Sequence, residues 1–197
     1  MRKLLIIPIF HTDVDMGSFK EKINEITEKQ FGKVELQNHR RDIVKFWEEL
    51  DKIIEKRIKD IDISVLRIYQ DGHAVGGPIG IKIAKEIAER GSRNHQIIMR
   101  LINRGAVLMK TESIDLLKEE YFLIKSMVMA KTPVDGERAA MEYRKRKDEI
   151  LKKRDKHIAE NIDKTLKEDE TSILFIGAAH NVEKELPSDI VVDYLEK

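Results

Sequence analysis

The chain has 197 residues, enough for one domain with a sizeable core. Its 37 Lys and Arg against 36 Asp and Glu leave a formal charge of +1, which excludes a polyanion binder that works by overall charge. Cysteine is absent, which excludes disulfides, thiolate metal sites and a cysteine nucleophile and fits a cytoplasmic protein.

The first element is an apolar run at residues 4–10 behind Met1-Arg2-Lys3. It is short, contains Pro8 and leads into His11-Thr12-Asp13 without a small-residue cleavage site, so it reads as a buried strand and not a leader. Residues 13–37 suit a helix around 19–30 and a short strand around 34–36. From 41 to 59 the apolar Ile43, Trp47, Leu50, Ile54 and Ile58 recur at spacings of three and four, one buried stripe of a helix.

Residues 65–69 form the second apolar run. Pro78 then opens a helix that Gly91 closes. Between them, Gly72 to Gly80 match neither the Walker pattern nor G-x-G-x-x-G, and read as a tight turn that uses glycine backbone freedom. Ser92 caps a short helix to Arg104, and 106–109 is a third strand. Ser113 caps a helix over 114–130, with Asp115 favourably placed in its first turn.

A long, highly charged helix spans about 137–168. The strand at 173–176 follows, then an edge strand at 190–194 that Asp193 interrupts. Near-continuous apolar strands alternating with helices predict a single α/β domain over residues 1–197. It is three-layered, with a mostly parallel sheet of four to five strands, helices on both faces and the long charged helix before the last core strand. No segment approaches the roughly 20 apolar residues that span a bilayer.

Ligands of open parallel sheets bind beyond the carboxyl ends of the strands. Those ends deliver His11 and Asp13, then Asp71 and His73, then Glu112, then His180. Imidazole serves as a general base near neutral pH or as a metal ligand. With carboxylates it makes a mixed N/O site suited to Mn, Co, Fe or Zn, and His11, His180, Asp13 and Asp71 are the candidate ligands. Arg154 falls within the apolar stripe of Leu151, Ile158, Ile162 and Leu166 on the long helix. An arginine turned inward there needs an anionic partner, from the strand-end cluster or from a ligand.

The stretch Arg154-Asp155-Lys156-His157-Ile158-Ala159-Glu160-Asn161-Ile162, followed by an apolar strand and Gly177-Ala178-Ala179-His180, resembles the carboxyl-terminal signature of the TraB/TIKI superfamily. That group also takes in erythromycin esterases and haem-binding ChaN proteins. At the first strand Pro8-Ile9-Phe10 stands where the group has a glycine and a small residue before histidine. At the second strand Asp71 is the only acid, where the group places a glutamate. The superfamily holds metal-dependent proteases, metal-independent esterases and haem binders, so the resemblance implies the fold and leaves the reaction open.

Two functional readings follow. In the first the protein hydrolyses an ester or peptide bond of a small-molecule or peptide substrate. His11 and His180 then act as metal ligands or general base, Asp71 and Glu112 complete the site, and Arg154 orients a carboxylate or steadies developing charge. In the second the same pocket binds a small ligand without catalysis, in a binding or signalling role. Neither reading involves nucleic acid or a membrane. The length of the charged helix adds an expectation of a homodimer formed through it.

Overall fold

The computed structural model describes residues 1–9, 21, 22, 25, 28 and 32–195. Among these, five strands form one all-parallel sheet: β1 (Arg2–Ile9), β2 (Leu66–Gln70), β3 (Val107–Leu108), β4 (Thr171–Gly177) and β5 (Ile190–Tyr194). Their order is β3-β2-β4-β1-β5. The pleat sends alternate residues to opposite faces. Leu5, Ile7 and Ile9 of β1 enter one core, and Leu4 and Ile6 enter the other.

The first core is closed by α1 (Lys33–Ile58), α2 (Gly77–Glu89) and α3 (Arg93–Asn103). Trp47, Leu50, Ile54 and Ile58 come from α1, Ala84 from α2, and Ile97, Ile98 and Leu101 from α3. The second core is closed by the carboxyl-terminal half of α5 (Pro133–Thr165), through Ile158, Ala159 and Ile162. Before it comes α4 (Ile114–Val128), which packs on α5. The three-layer arrangement expected from the strand–helix alternation is therefore present. No helix among the described residues is long and apolar enough to cross a membrane.

Two elements differ from expectation. Residues 34–36 are the first turn of α1 and not a strand. Val34 is largely exposed there, so pairing it into a strand would bury nothing, and the helix runs on through these residues from Lys33. The long helix starts at Pro133 and stops at Thr165, not at 137 and 168. Thr132 accepts a hydrogen bond from the Asp135 amide, and Pro133 costs nothing in the first turn, where its missing N–H has no partner to lose. The helix expected around 19–30 lies mostly outside the described residues.

The loop from β2 to α2 is held tightly. The His73 carbonyl accepts from the Thr111 and Glu112 amides at 2.9 and 3.0 Å, which fastens it to the loop after β3. The His73 ring is buried against Gly80. A Cβ added at Gly80 would lie 2.2 Å from the Val75 carbonyl oxygen and 2.8 Å from His73 Nε2. Backbone cannot yield there cheaply, so Gly80→Ala is expected to cost about 1–3 kcal/mol in urea unfolding.

Burial, reinforced by nearby His95 and opposed by the Val75 backbone, lowers the His73 pKa from 6.5 to about 4. The unfolded chain thus binds a proton that the folded chain refuses. Stability from the neutral ring is fully present above pH 6.5 and is lost as pH falls toward 4. The loss is expected to reach roughly 3 kcal/mol. Unfolding curves of His73→Gln should be flatter across that interval than those of the parent.

Candidate functional site

The carboxyl ends of β2, β3 and β4 meet beside the middle of α5. Register places Gln70 beside Phe175, and the Asp71 amide donates to the Phe175 carbonyl at 2.9 Å, so Asp71 sits directly against β4. Its Oδ2 accepts from the Gly177 amide at 3.1 Å. Glu112 is delivered by the loop after β3, which is pinned twice more. Thr111 Oγ1 accepts from the Gln70 amide at 3.0 Å, and Asn161 on α5 donates to the Thr111 carbonyl at 2.9 Å.

Arg154 reaches into this corner from α5. Its Nη2 donates to Asp71 Oδ1 at 2.7 Å and to Glu112 Oε1 at 2.5 Å. Nε donates to Glu112 Oε1 at 3.2 Å, and Nη1 donates to Glu120 of α4 at 2.6 Å. The anionic partner that an inward arginine needs is thus supplied three times over, by the protein itself. Each nitrogen of the guanidinium bonds to a carboxylate, so four of its five N–H donors are taken by the protein itself. Burial works against its charge, but Glu112, Asp71 and Glu120 together more than compensate and raise its pKa further.

The neighbouring Asp155 holds His180. Its Oδ1 lies 2.5 Å from His180 Nδ1, and its Oδ2 accepts from the Asn181 amide at 3.0 Å. A carboxylate at that distance accepts from Nδ1–H and fixes the orientation of the ring. Nε2 lies 3.6 Å from Asp71 Oδ2, and the His180 side chain is almost fully enclosed. Asp71, Glu112 and His180 each bring one donor atom into a group whose members all lie within 4.8 Å of one another. The three can hold a metal ion.

Electrostatics fit that description. Asp71, Glu112, Glu120 and Asp155 gather around one Arg154 and His180. Carboxylates outnumber guanidinium groups in this largely buried corner. Glu112 feels this most. Its side chain is wholly enclosed, and burial pushes its pKa up against the lowering effect of Arg154. Its second oxygen, Oε2, is buried with no hydrogen-bond partner. An orphaned carboxylate oxygen is costly unless a proton or a cation satisfies it.

Of the residues expected from the sequence, the structure brings together Asp71, Glu112, Arg154 and His180. His11 and Asp13 lie outside the described residues. The sequence analysis assigned no role at the site to Asp155, Glu120, Thr111 or Asn161, although Asp155 and Asn161 stand in the stretch that carries the family resemblance. A signal existed for Glu120, which lies in the apolar stripe of Leu116, Leu123 and Met127 on α4 and is therefore an acid turned inward. Asp155 was findable from chemistry, since a functional histidine needs a fixed tautomer.

Comparison with known proteins finds no matching family model, no matching curated protein and no matching solved structure.

Removing the guanidinium leaves buried carboxylates facing one another. Arg154→Met is expected to cost about 3–5 kcal/mol in denaturant unfolding at neutral pH. Adding Glu112→Gln should return part of that loss, and the double-mutant cycle measures the coupling.

Proposed function

We propose that the protein is a hydrolase that uses a divalent metal, with Asp71, Glu112 and His180 as the ligands, to cleave an ester or peptide bond through activated water. The observation that carries this reading is the convergence of three donor atoms within 4.8 Å, one of them from a group whose Glu112 Oε2 has no other partner. A divalent ion bound there supplies a lowered pKa for water and polarises a carbonyl oxygen. The donor set of two carboxylates and one imidazole suits Mn, Co, Fe or Zn.

The chain's own groups supply positioning. Asp155 keeps the His180 proton on Nδ1 and so directs the Nε2 lone pair to the site. Arg154 takes Oδ1 of Asp71 and Oε1 of Glu112, which turns the remaining oxygens toward the same space. The loop bonds from Thr111, Glu112 and Asn161 fix those carboxylates before any ligand arrives. With cysteine absent and no G-x-S-x-G elbow in the sequence, water is the natural nucleophile.

A non-catalytic pocket for a small anion fits less well, because carboxylates crowd the corner and Arg154 is bonded to three of them. The partial resemblance to the TraB/TIKI superfamily is compatible with either reading, because that group holds hydrolases and binding proteins alike.

Calorimetric titration with Mn2+ and Zn2+ tests the ligand set. One ion should bind per chain, with affinity reduced about 10–100-fold in Asp71→Asn, Glu112→Gln and His180→Ala. Turnover of simple nitrophenyl esters and short peptides should vanish with chelator and return with metal. A chain that binds neither ion and turns over none of these substrates with added metal would contradict the proposal.

A further inference from the structure

β2 ends on a buried amide. Leu66 and Ile68 enter the first core, and Gln70 follows on the same face with 2% of its surface exposed. Its partner there is Asn94 in the first turn of α3, equally buried, whose Nδ2 donates to Gln70 Oε1 at 2.7 Å. Ser92 caps that turn by accepting from the His95 amide, so Asn94 is carried on a fixed helix start. Stability alone does not call for this pair. Two apolar side chains of the same shape would fill the space at little cost, whereas every buried amide atom needs a bond. Asn94 Oδ1 has none.

The bonds of Gln70 lead to the candidate ligands on the other face of the sheet. Its Nε2 donates to the Asp71 carbonyl at 3.0 Å. Residues 70–73 form a turn closed by the His73 amide on the Gln70 carbonyl at 3.1 Å, with Gly72 in third position at φ 78°. The Asp71 carbonyl belongs to the central peptide of this turn, whose rotation distinguishes the common turn types and which the closing bond does not hold. Gln70 holds it instead. The Asp71 amide is already fixed by its bond to the Phe175 carbonyl of β4, so the peptides on both sides of the Asp71 side chain are tied down.

Gln70 reaches Glu112 as well. Its amide donates to Thr111 Oγ1 at 3.0 Å, and the turn it steadies presents the His73 carbonyl to the Thr111 and Glu112 amides. One residue thus supports two of the three candidate ligands from the opposite side of the sheet. Chemistry also sets the direction of the chain of bonds. The Asp71 carbonyl can only accept, so Gln70 turns its Nε2 there and its Oε1 to Asn94, which must then present Nδ2.

We propose that Gln70 and Asn94 are positioning residues of the metal site: two buried amides in series, through which α3 holds the Asp71 turn and the Glu112 loop in place for the ion. This inference rests on the reading of Asp71, Glu112 and His180 as ligands. Asn94 acts only through Gln70, since its other side-chain atom bonds to nothing.

Gln70→Met and Asn94→Leu remove the amides and keep the volume. Calorimetry with Mn2+ on the intact chain should show the dissociation constant raised about 10–100-fold by Gln70→Met and about 10-fold by Asn94→Leu. The double variant should bind no more weakly than Gln70→Met, because the two amides act in series. The visible absorption of bound Co2+ follows coordination geometry and should change in both single variants. Tyr69→Phe is the control. It removes a hydrogen bond to Thr165 from the same strand and should leave the affinity and the cobalt spectrum unaltered. If Gln70→Met does not fold, Asn94→Leu carries the test alone. A parent chain that binds neither ion overturns the metal reading and this inference together. A parent that binds, beside variants of unchanged affinity and spectrum, overturns this inference alone, as does an equal loss in Tyr69→Phe.

Discussion

One buried guanidinium joins four separate parts of the chain. Arg154 of α5 bonds to Asp71 after β2, Glu112 after β3 and Glu120 in the middle of α4. These partners come from 34 to 83 residues away in sequence, so the contact forms only when the sheet, the hairpin and the long helix are all in place. A buried charge is tolerated only with such partners, since each unpaired member carries a desolvation penalty of several kcal/mol. The cluster therefore makes specific demands on the fold: strand order, the length of the β3–α4 loop and the rotation of α5 must all agree.

The adjacent residue divides the work. Arg154 and Asp155 are consecutive and so point about 100° apart around α5. One gathers carboxylates from β2 and β3, while the other fixes His180 at the end of β4. Both hold groups that border the space between Asp71, Glu112 and His180: Arg154 takes Oδ1 of Asp71 and Oε1 of Glu112, and Asp155 takes Nδ1 of His180. That is a common division between groups that meet a ligand and groups that orient them. It also explains why the pair lies on a helix packed against the sheet, where packing fixes the side-chain directions.

Much of this was legible in the sequence because burial writes regular patterns. Strands covered on both faces appear as unbroken apolar runs, and the stripe of α1 from Ile43 to Ile58 appears at helical spacing. Arg154 stood out because a charge within an apolar stripe is expensive. What the sequence concealed were matters of relative placement. Glu120 carried a signal, an acid within the apolar stripe of Leu116, Leu123 and Met127, but its partner was hidden, and the role of Asp155 appears only once α5 is set against the end of β4. Residues 34–36 looked like a strand from local composition, but the helix that follows extends through them. His73 seemed to share the chemistry of the strand ends. In the fold its carbonyl clamps two loops together while its ring is buried against Gly80, which makes it a structural residue.

α4 ties the helical hairpin to the site. Its stripe of Leu116, Leu123 and Met127 shares a face with Glu120, a direct partner of Arg154. A helix so placed cannot rotate without disturbing that ion pair, so the packing of α4 on α5 and the order of the cluster are coupled mechanically. The limit of this coupling is equally physical. Arg154 has two further carboxylate partners, so loosening Glu120 weakens the cluster without dismantling it, and the donor triad remains assembled by the loop bonds from His73, Thr111 and Asn161.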